Sequence, residues 1–135
     1  NVIRCRLADI ILLRAECRAR QGKAEAVEDL NRIRKRAYGD DQHGWPNADD
    51  AEKGLDKDIR LAIFREREKE FLLEGCRYYD ARRNGVDYVR RLLPAYNNLT
   101  DQEIEDGALY MGLADDIFSN NDLVRQNVYW NSRLQ

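Results

Sequence analysis

Three glutamates spaced four residues apart, Glu66, Glu70 and Glu74, lie in the most densely charged run of the chain, REREKEFLLEGCRYYDARRNG from Arg65 to Gly85. Residues three and four apart share one face of an α-helix, so this spacing lines carboxylates up with Ile59, Ile63 and Arg77 on a single ridge. Two kinds of chemistry use such a ridge. Carboxylates held at different proton affinities, here Glu70 and Glu74, can act as a general acid and base. Alternatively, the same groups can be fastened to guanidinium groups, for which Arg67, Arg77 and Arg83 are at hand, with Asp80 three residues beyond Arg77. A third possibility is a plain solvated face. Ile63, Phe64, Phe71, Leu72 and Leu73 draw the helix inward, where an unpaired charge costs several kcal/mol. No nucleophile, metal-ligand set or histidine accompanies the carboxylates. The reading adopted is therefore a structural network of Glu66, Arg67, Glu70, Glu74, Arg77, Asp80 and Arg83 that ties helices together, with no catalytic residue.

The other residues with chemical potential fall in the stretch GDDQHGWPNADDAEKG, from Gly39 to Gly54. Trp45 stands there between His43 and Asn47. An exposed indole beside hydrogen-bonding side chains can stack a sugar ring, whose face is apolar and whose rim is polar. The competing reading folds Trp45 back to plug the helices beneath. Asp40, Asp41, Asp49 and Asp50 carry oxygen ligands of the kind calcium takes, but not in the order of a calcium loop, so a solvated loop is expected. Cys5, Cys17 and Cys76 are odd in number and include no CxxC, and His43 is the one histidine. No metal site or cofactor is expected, and the cysteines read as small helix-packing residues.

The elements that must position these groups are helices. Residues 4 to 20 hold no Gly or Pro, and Leu7, Ile10, Ile11, Ala15 and Ala19 make an apolar stripe at helical spacing. Gly22 closes that helix. A second helix runs from Ala24 to Tyr38 with its stripe at Val27, Leu30, Ile33 and Ala37. Arg32, Arg34, Lys35 and Arg36 take the remaining positions and suit the negative end of the helix dipole. So short a link folds the two into an antiparallel hairpin. After the loop, a helix is expected from Asp56, its cap, to Glu74, with Gly75 as its stop. Further helical pieces cover 77 to 84 and 86 to 93. A Thr100-x-x-Glu103 capping box follows. An irregular tail then contains a short extended piece at Ala108 to Leu113, and Trp130 anchors the tail against the helices. Tyr78 and Tyr79 are adjacent on one short helix, so only one of them faces solvent.

The bulk numbers agree with an all-α chain. It has 135 residues, 43% apolar and 36% charged, and a net charge of −2. That balance gives no field for a nucleic acid or an anionic membrane. The run Ile10 to Leu13 is far too short to span a bilayer. The chain begins without Met, already as mid-protein helix, and the first hairpin looks like a single tetratricopeptide-type unit. Such units need neighbours, about three in all. The expectation is therefore a piece of a larger protein.

The register of Glu66, Arg67, Glu70, Glu74, Gly75, Arg77, Asp80, Arg83 and Gly85 resembles the pattern ER-x-x-E-x-x-x-EG-x-R-x-x-D-x-x-R-x-G of the RagB/SusD family. Leu30, Asn31, Arg34, Arg36 and Ala37 resemble that family's LN-x-x-R-x-R-A at the end of its tetratricopeptide-like hairpin. Asn120 or Asn121, Leu123, Gln126, Asn127, Tyr129 and Trp130 resemble its N-x-x-L-x-QN-x-x-W/Y tail. Departures are Ala81 for a usual Leu, Asn84 for a common aromatic, and Met111 to Ala114 in place of a Pro-Ile-Pro-like stretch. The resemblance implies the C-terminal part, residues 1–135, of a SusD-like helical domain. Its segments would be a tetratricopeptide-like hairpin at 1–38, a loop at 39–54, motif-bearing helices at 55–93 and an irregular segment at 94–135. It further implies a non-catalytic lipoprotein on the outer-membrane surface of Bacteroidetes. Such a protein binds an oligosaccharide or other nutrient and delivers it to a SusC-like TonB-dependent transporter, its lipid anchor lying outside this chain. A helical protein-interaction scaffold with no small ligand is the alternative.

Overall fold

The computed structural model describes residues 5–119 and 123–133, and among them it is helical with no strand. The chain divides into two compact units, Asn1–Asp80 and Ala81–Gln135.

The first unit is built on α1 (Leu7–Arg20), α2 (Glu25–Tyr38), the short α3 (Ala48–Glu52) and α4 (Ile59–Glu70). Directions follow from which residues meet. Arg18 reaches Glu25 while Arg14 reaches Asp29, so α1 and α2 run antiparallel. Arg6 meets Glu70 while Asp9 meets Arg67, so α4 is antiparallel to α1. Arg34 meets Glu66 and Arg36 meets Glu70, which sets α2 and α4 parallel. Leu12, Leu30, Ile63 and Phe64 fill the space between them and are essentially out of contact with water. Each such side chain contributes roughly 1.5–3 kcal/mol by burial.

The buried face of α1 is Ala8, Ile11, Leu12, Ala15 and Glu16, rotated from the expected stripe. Leu7 and Ile10 are instead 67% and 54% exposed. Residues 7 to 13 are apolar almost all round the helix, so periodicity alone could not choose the inward side. In α2 the buried positions are Ala26, Asp29, Leu30, Ile33 and Arg34. Arg34 sits four residues after Leu30, on the inner stripe rather than the polar side, and Ala37 is exposed. Helix α2 ends on Gly39 at φ +82°, whose N–H donates to Lys35 O. This left-handed conformation has little steric cost only for glycine.

Two boundaries differ from the sequence expectation. Helix α4 starts after Asp58, whose carboxylate accepts from the N–H groups of Arg60 and Leu61, so Asp58 and not Asp56 is the cap. The helix stops at Glu70, four residues early, and a turn carries the chain through Leu73 at φ +66° to Gly75. The region expected to be all loop contains α3, which Asn47 and Asp50 open with a reciprocal capping box. Cys5 and Cys17 are exposed and Cys76 is half-buried, so the first two do not pack between helices.

Helix α5 (Arg77–Asn84) leads out of the first unit. Tyr79 on it is exposed while Tyr78 is half-buried. The second unit continues with α6 (Val86–Leu92), a 3-10 turn at Pro94–Asn98, α7 (Asp101–Glu105), a second 3-10 turn at Asp115–Phe118 and α8 (Val128–Asn131). Thr100 and Glu103 form the expected capping box at the start of α7. The piece from Ala108 to Leu113 is a turn followed by irregular backbone, not a strand. Gln126 explains how it holds its shape. Its side-chain amide accepts from Leu113 N–H and donates to Leu113 C=O, at 3.2 and 3.0 Å. One side chain thus satisfies a backbone residue as a neighbouring strand would. Trp130 donates its indole N–H to Tyr110 O and lies over Gly112, so it fastens this segment. Asn127 caps α8 and also donates to Gly107 O. Of the tail motif, Asn120 and Asn121 lie outside the described residues. No helix among the described residues is long and apolar enough to cross a membrane.

Candidate functional site

The loop between α2 and α4 is held by one buried guanidinium. Arg34 grips Asp50 with both terminal nitrogens, at 2.6 and 2.8 Å, and donates from Nε to Glu66 at 2.9 Å. A further bond, at 3.3 Å, reaches the carbonyl of His43. All three charged side chains are nearly fully buried. Burial pushes the Arg34 pKa down, but Asp50 and Glu66 more than reverse this and hold it above its ordinary value. The charge therefore stays on Arg34 and joins α2, α3 and α4.

Asn31, three residues before Arg34, extends the joint. Its side-chain oxygen accepts from the backbone N–H of Trp45 at 2.7 Å. The indole N–H of Trp45 donates to Leu55 O at 2.8 Å, and the residue is half-buried. Asn47 caps α3 and donates to His43 O at 2.9 Å. The His43 ring stacks on Tyr38, with centroids 4.1 Å apart and planes 7° from parallel. Its Nδ1 lies 2.7 Å from Asp40 Oδ1, and hydrogen bonding from His43 lowers the Asp40 pKa. The structure thus brings His43 and Asn47 together and turns the polar edge of Trp45 inward. The four aspartates do not converge: Asp41 pairs with Lys35, Asp49 with Lys53, and Asp50 with Arg34.

The charged ridge breaks at Glu70, so Glu74 and Arg77 are not in helical line with Glu66. Its partners come mostly from elsewhere. Arg6 donates to Glu70 Oε1 at 2.6 Å, to the Glu70 carbonyl, and to Glu74 at 2.7 and 3.1 Å. These carboxylates hold the Arg6 pKa above its ordinary value, Glu74 having the larger effect. Arg36 closes on Glu70 from α2. Arg67, buried, pairs with Asp80 at 2.8 Å and Asp9 at 2.7 Å. Arg67 and Arg6 both lie over the ring of Phe71, at 5.0 and 4.6 Å from its centroid. Arg77 pairs with Glu68 rather than Asp80, and Arg83 is exposed. On the outer side of the hairpin, Asp29 takes Arg14 and Arg18 together.

Sequence reasoning missed Arg6, Asp9, Arg36 and Asp50 as partners in these pairs, and Asn31 and Tyr38 as supports of the loop. Only Arg34 left a usable signal, a charge four residues from Leu30 on an apolar stripe. Arg6, Asp9, Arg36 and Asp50 meet their partners 16 to 68 positions away, with no local periodicity to mark them.

A helical hairpin is locked to a third helix by arginine–carboxylate joints and carries a tethered polar-aromatic loop. Both carboxylates that could have served as an acid–base pair, Glu70 and Glu74, are committed to Arg6. The chain belongs to the SusD family, whose model matches residues 1–131. Members of that family are in general non-catalytic nutrient-binding lipoproteins of the outer-membrane surface that work with SusC-like transporters. Comparison with characterised proteins and with solved structures found no match.

Proposed function

We propose that this chain is part of a surface nutrient-binding protein that holds an oligosaccharide and passes it to a SusC-like TonB-dependent transporter, without catalysing a reaction. The observation that supports this most is the loop from Asp40 to Asp50. It displays His43 and Asn47 beside Trp45 on a backbone fixed at three points by Asn31 and Arg34. A rigid polar-aromatic loop loses little entropy on binding, which suits recognition of a flexible, hydroxyl-rich ligand. Calorimetric titration of the intact protein with oligosaccharides tests this. Saturable heat with at least one glycan is the expected result, and no heat with any glycan overturns the reading.

A second observation favours a role in gripping a protein partner. Leu7 and Ile10 on α1 and Leu72 and Leu73 in the turn after α4 are all more than half exposed. Leu7, Ala8, Ile11 and Ile33, rimmed by Arg6, Arg32 and Arg36, line a groove of about 400 Å3. Apolar surface of this kind serves docking. The two roles separate by experiment. Trp45→Ala should leave co-purification with the transporter intact if the helices make that contact and the loop serves the ligand.

A further inference from the structure

Within the loop, Trp45 is the larger ring, yet its indole N–H is already bonded to Leu55 O and the residue is half-buried. The rings that face water are Tyr38 and His43, whose exposures are both 46%. Their inner faces cover each other, so the exposed surface is on outer faces and edges. This pair is also rigid. The His43 carbonyl accepts from buried Arg34 and from Asn47, its N–H donates to Asp40 at 3.2 Å, and its ring nitrogen meets the same carboxylate. Tyr38 is the last residue of α2, directly before Gly39.

Proton bookkeeping fixes the ring's rim. An ionised carboxylate only accepts, so Nδ1 of His43 carries the hydrogen toward Asp40. In the neutral ring Nε2 then has a lone pair and accepts from a hydroxyl. The phenol oxygen of Tyr38 adds a group that can both donate and accept. A flat aromatic surface edged by such groups matches a pyranose, with its C–H face against the ring and its hydroxyls at the edge.

We infer that the Tyr38–His43 stack, and not Trp45, is the platform on which this loop holds a sugar ring. The inference rests on the glycan-binding reading above. His43 ring protons report on the platform directly, and a His43→Gln variant of the intact protein identifies their NMR signals by their loss.

The test is titration of the intact protein with maltohexaose, cellohexaose, xylohexaose and mannohexaose, following heat and the His43 ring signals together. The expected result is that the His43 signals move along the same saturation curve as the heat. Tyr38→Leu, which keeps apolar bulk but removes the aromatic face, should weaken binding about tenfold or more, roughly 1.4 kcal/mol. Trp45→Phe, which keeps an aromatic ring but removes the inward hydrogen bond and some of the indole bulk, should change affinity less than threefold. If heat saturates while the His43 signals stay still, or Tyr38→Leu binds as wild type, the platform is overturned and the glycan reading survives. If none of the four sugars binds, this platform is overturned for pyranose chains, and the wider titration above decides the glycan reading. Circular dichroism of each variant shows that the helices are intact.

Discussion

Arg34 and Glu66, 32 residues apart in the chain, meet at 2.9 Å with both side chains almost wholly removed from water. Each lies in one of the stretches that resemble the family pattern. Two separate sequence signatures are thus, physically, the two ends of one ion pair, with Asp50 as the third member.

Removing the cation from this joint leaves Asp50 and Glu66 buried without it. Arg34→Ala should cost about 3–5 kcal/mol, read as a lower urea midpoint. Arg34→Lys keeps the charge but cannot reach three acceptors with a planar fork, so it should recover only part of that loss.

Asp29 makes stability depend on acid. Burial raises its pKa, but Arg14 and Arg18 pull it down further, so it ends below the ordinary value of 3.8. Between the two values the unfolded chain binds a proton that the folded chain does not. Folding is therefore favoured by the pair above pH 3.8 and loses that support as pH falls through the lower, folded value. Asp29→Asn should lower stability at neutral pH and flatten the acid limb of a urea-midpoint series.

Leu73 adopts φ +66° while 97% exposed. A leucine in that region is strained, and here no packing is lost by trimming it. Leu73→Gly should stabilise the chain by about 0.5–1 kcal/mol, seen as a higher thermal midpoint.

Gly107 has φ +103°, and a Cβ there would come within 2.8 Å of the Asn127 side chain. Gly107→Ala should cost more than about 1 kcal/mol, and Asn127→Ala about 1 kcal/mol by loss of the α8 cap. The double variant should cost less than the sum, because the second change removes the clash. Hydrogen exchange at α8 reports both.

How much of this could be read from sequence depends on the range of the interaction. The hairpin, the Gly22 stop and the Thr100–Glu103 box were legible because each is set by residues within a turn or two. The end of α4 was not. Nothing local stops a helix at Glu70; Arg6 meets the Glu70 carbonyl and the Glu74 side chain from 64 and 68 residues away. The roles of Asn31 and Arg34 were visible as a motif but not as contacts, since a motif does not name its partner. Trp45 illustrates the same limit: its surroundings in sequence are polar, and only the fold shows that Leu55 O takes its indole.

The joint also divides the loop by how freely its sequence can change. From Asp40 to Asp50 the backbone is fastened at His43, Trp45 and Asp50, and an added residue would pull at least one of these bonds apart. Ala51 to Gly54 is exposed throughout, lying between anchored Asp50 and buried Leu55. Substitutions that diversify a surface can accumulate in that stretch, while Tyr38 and His43 keep their places.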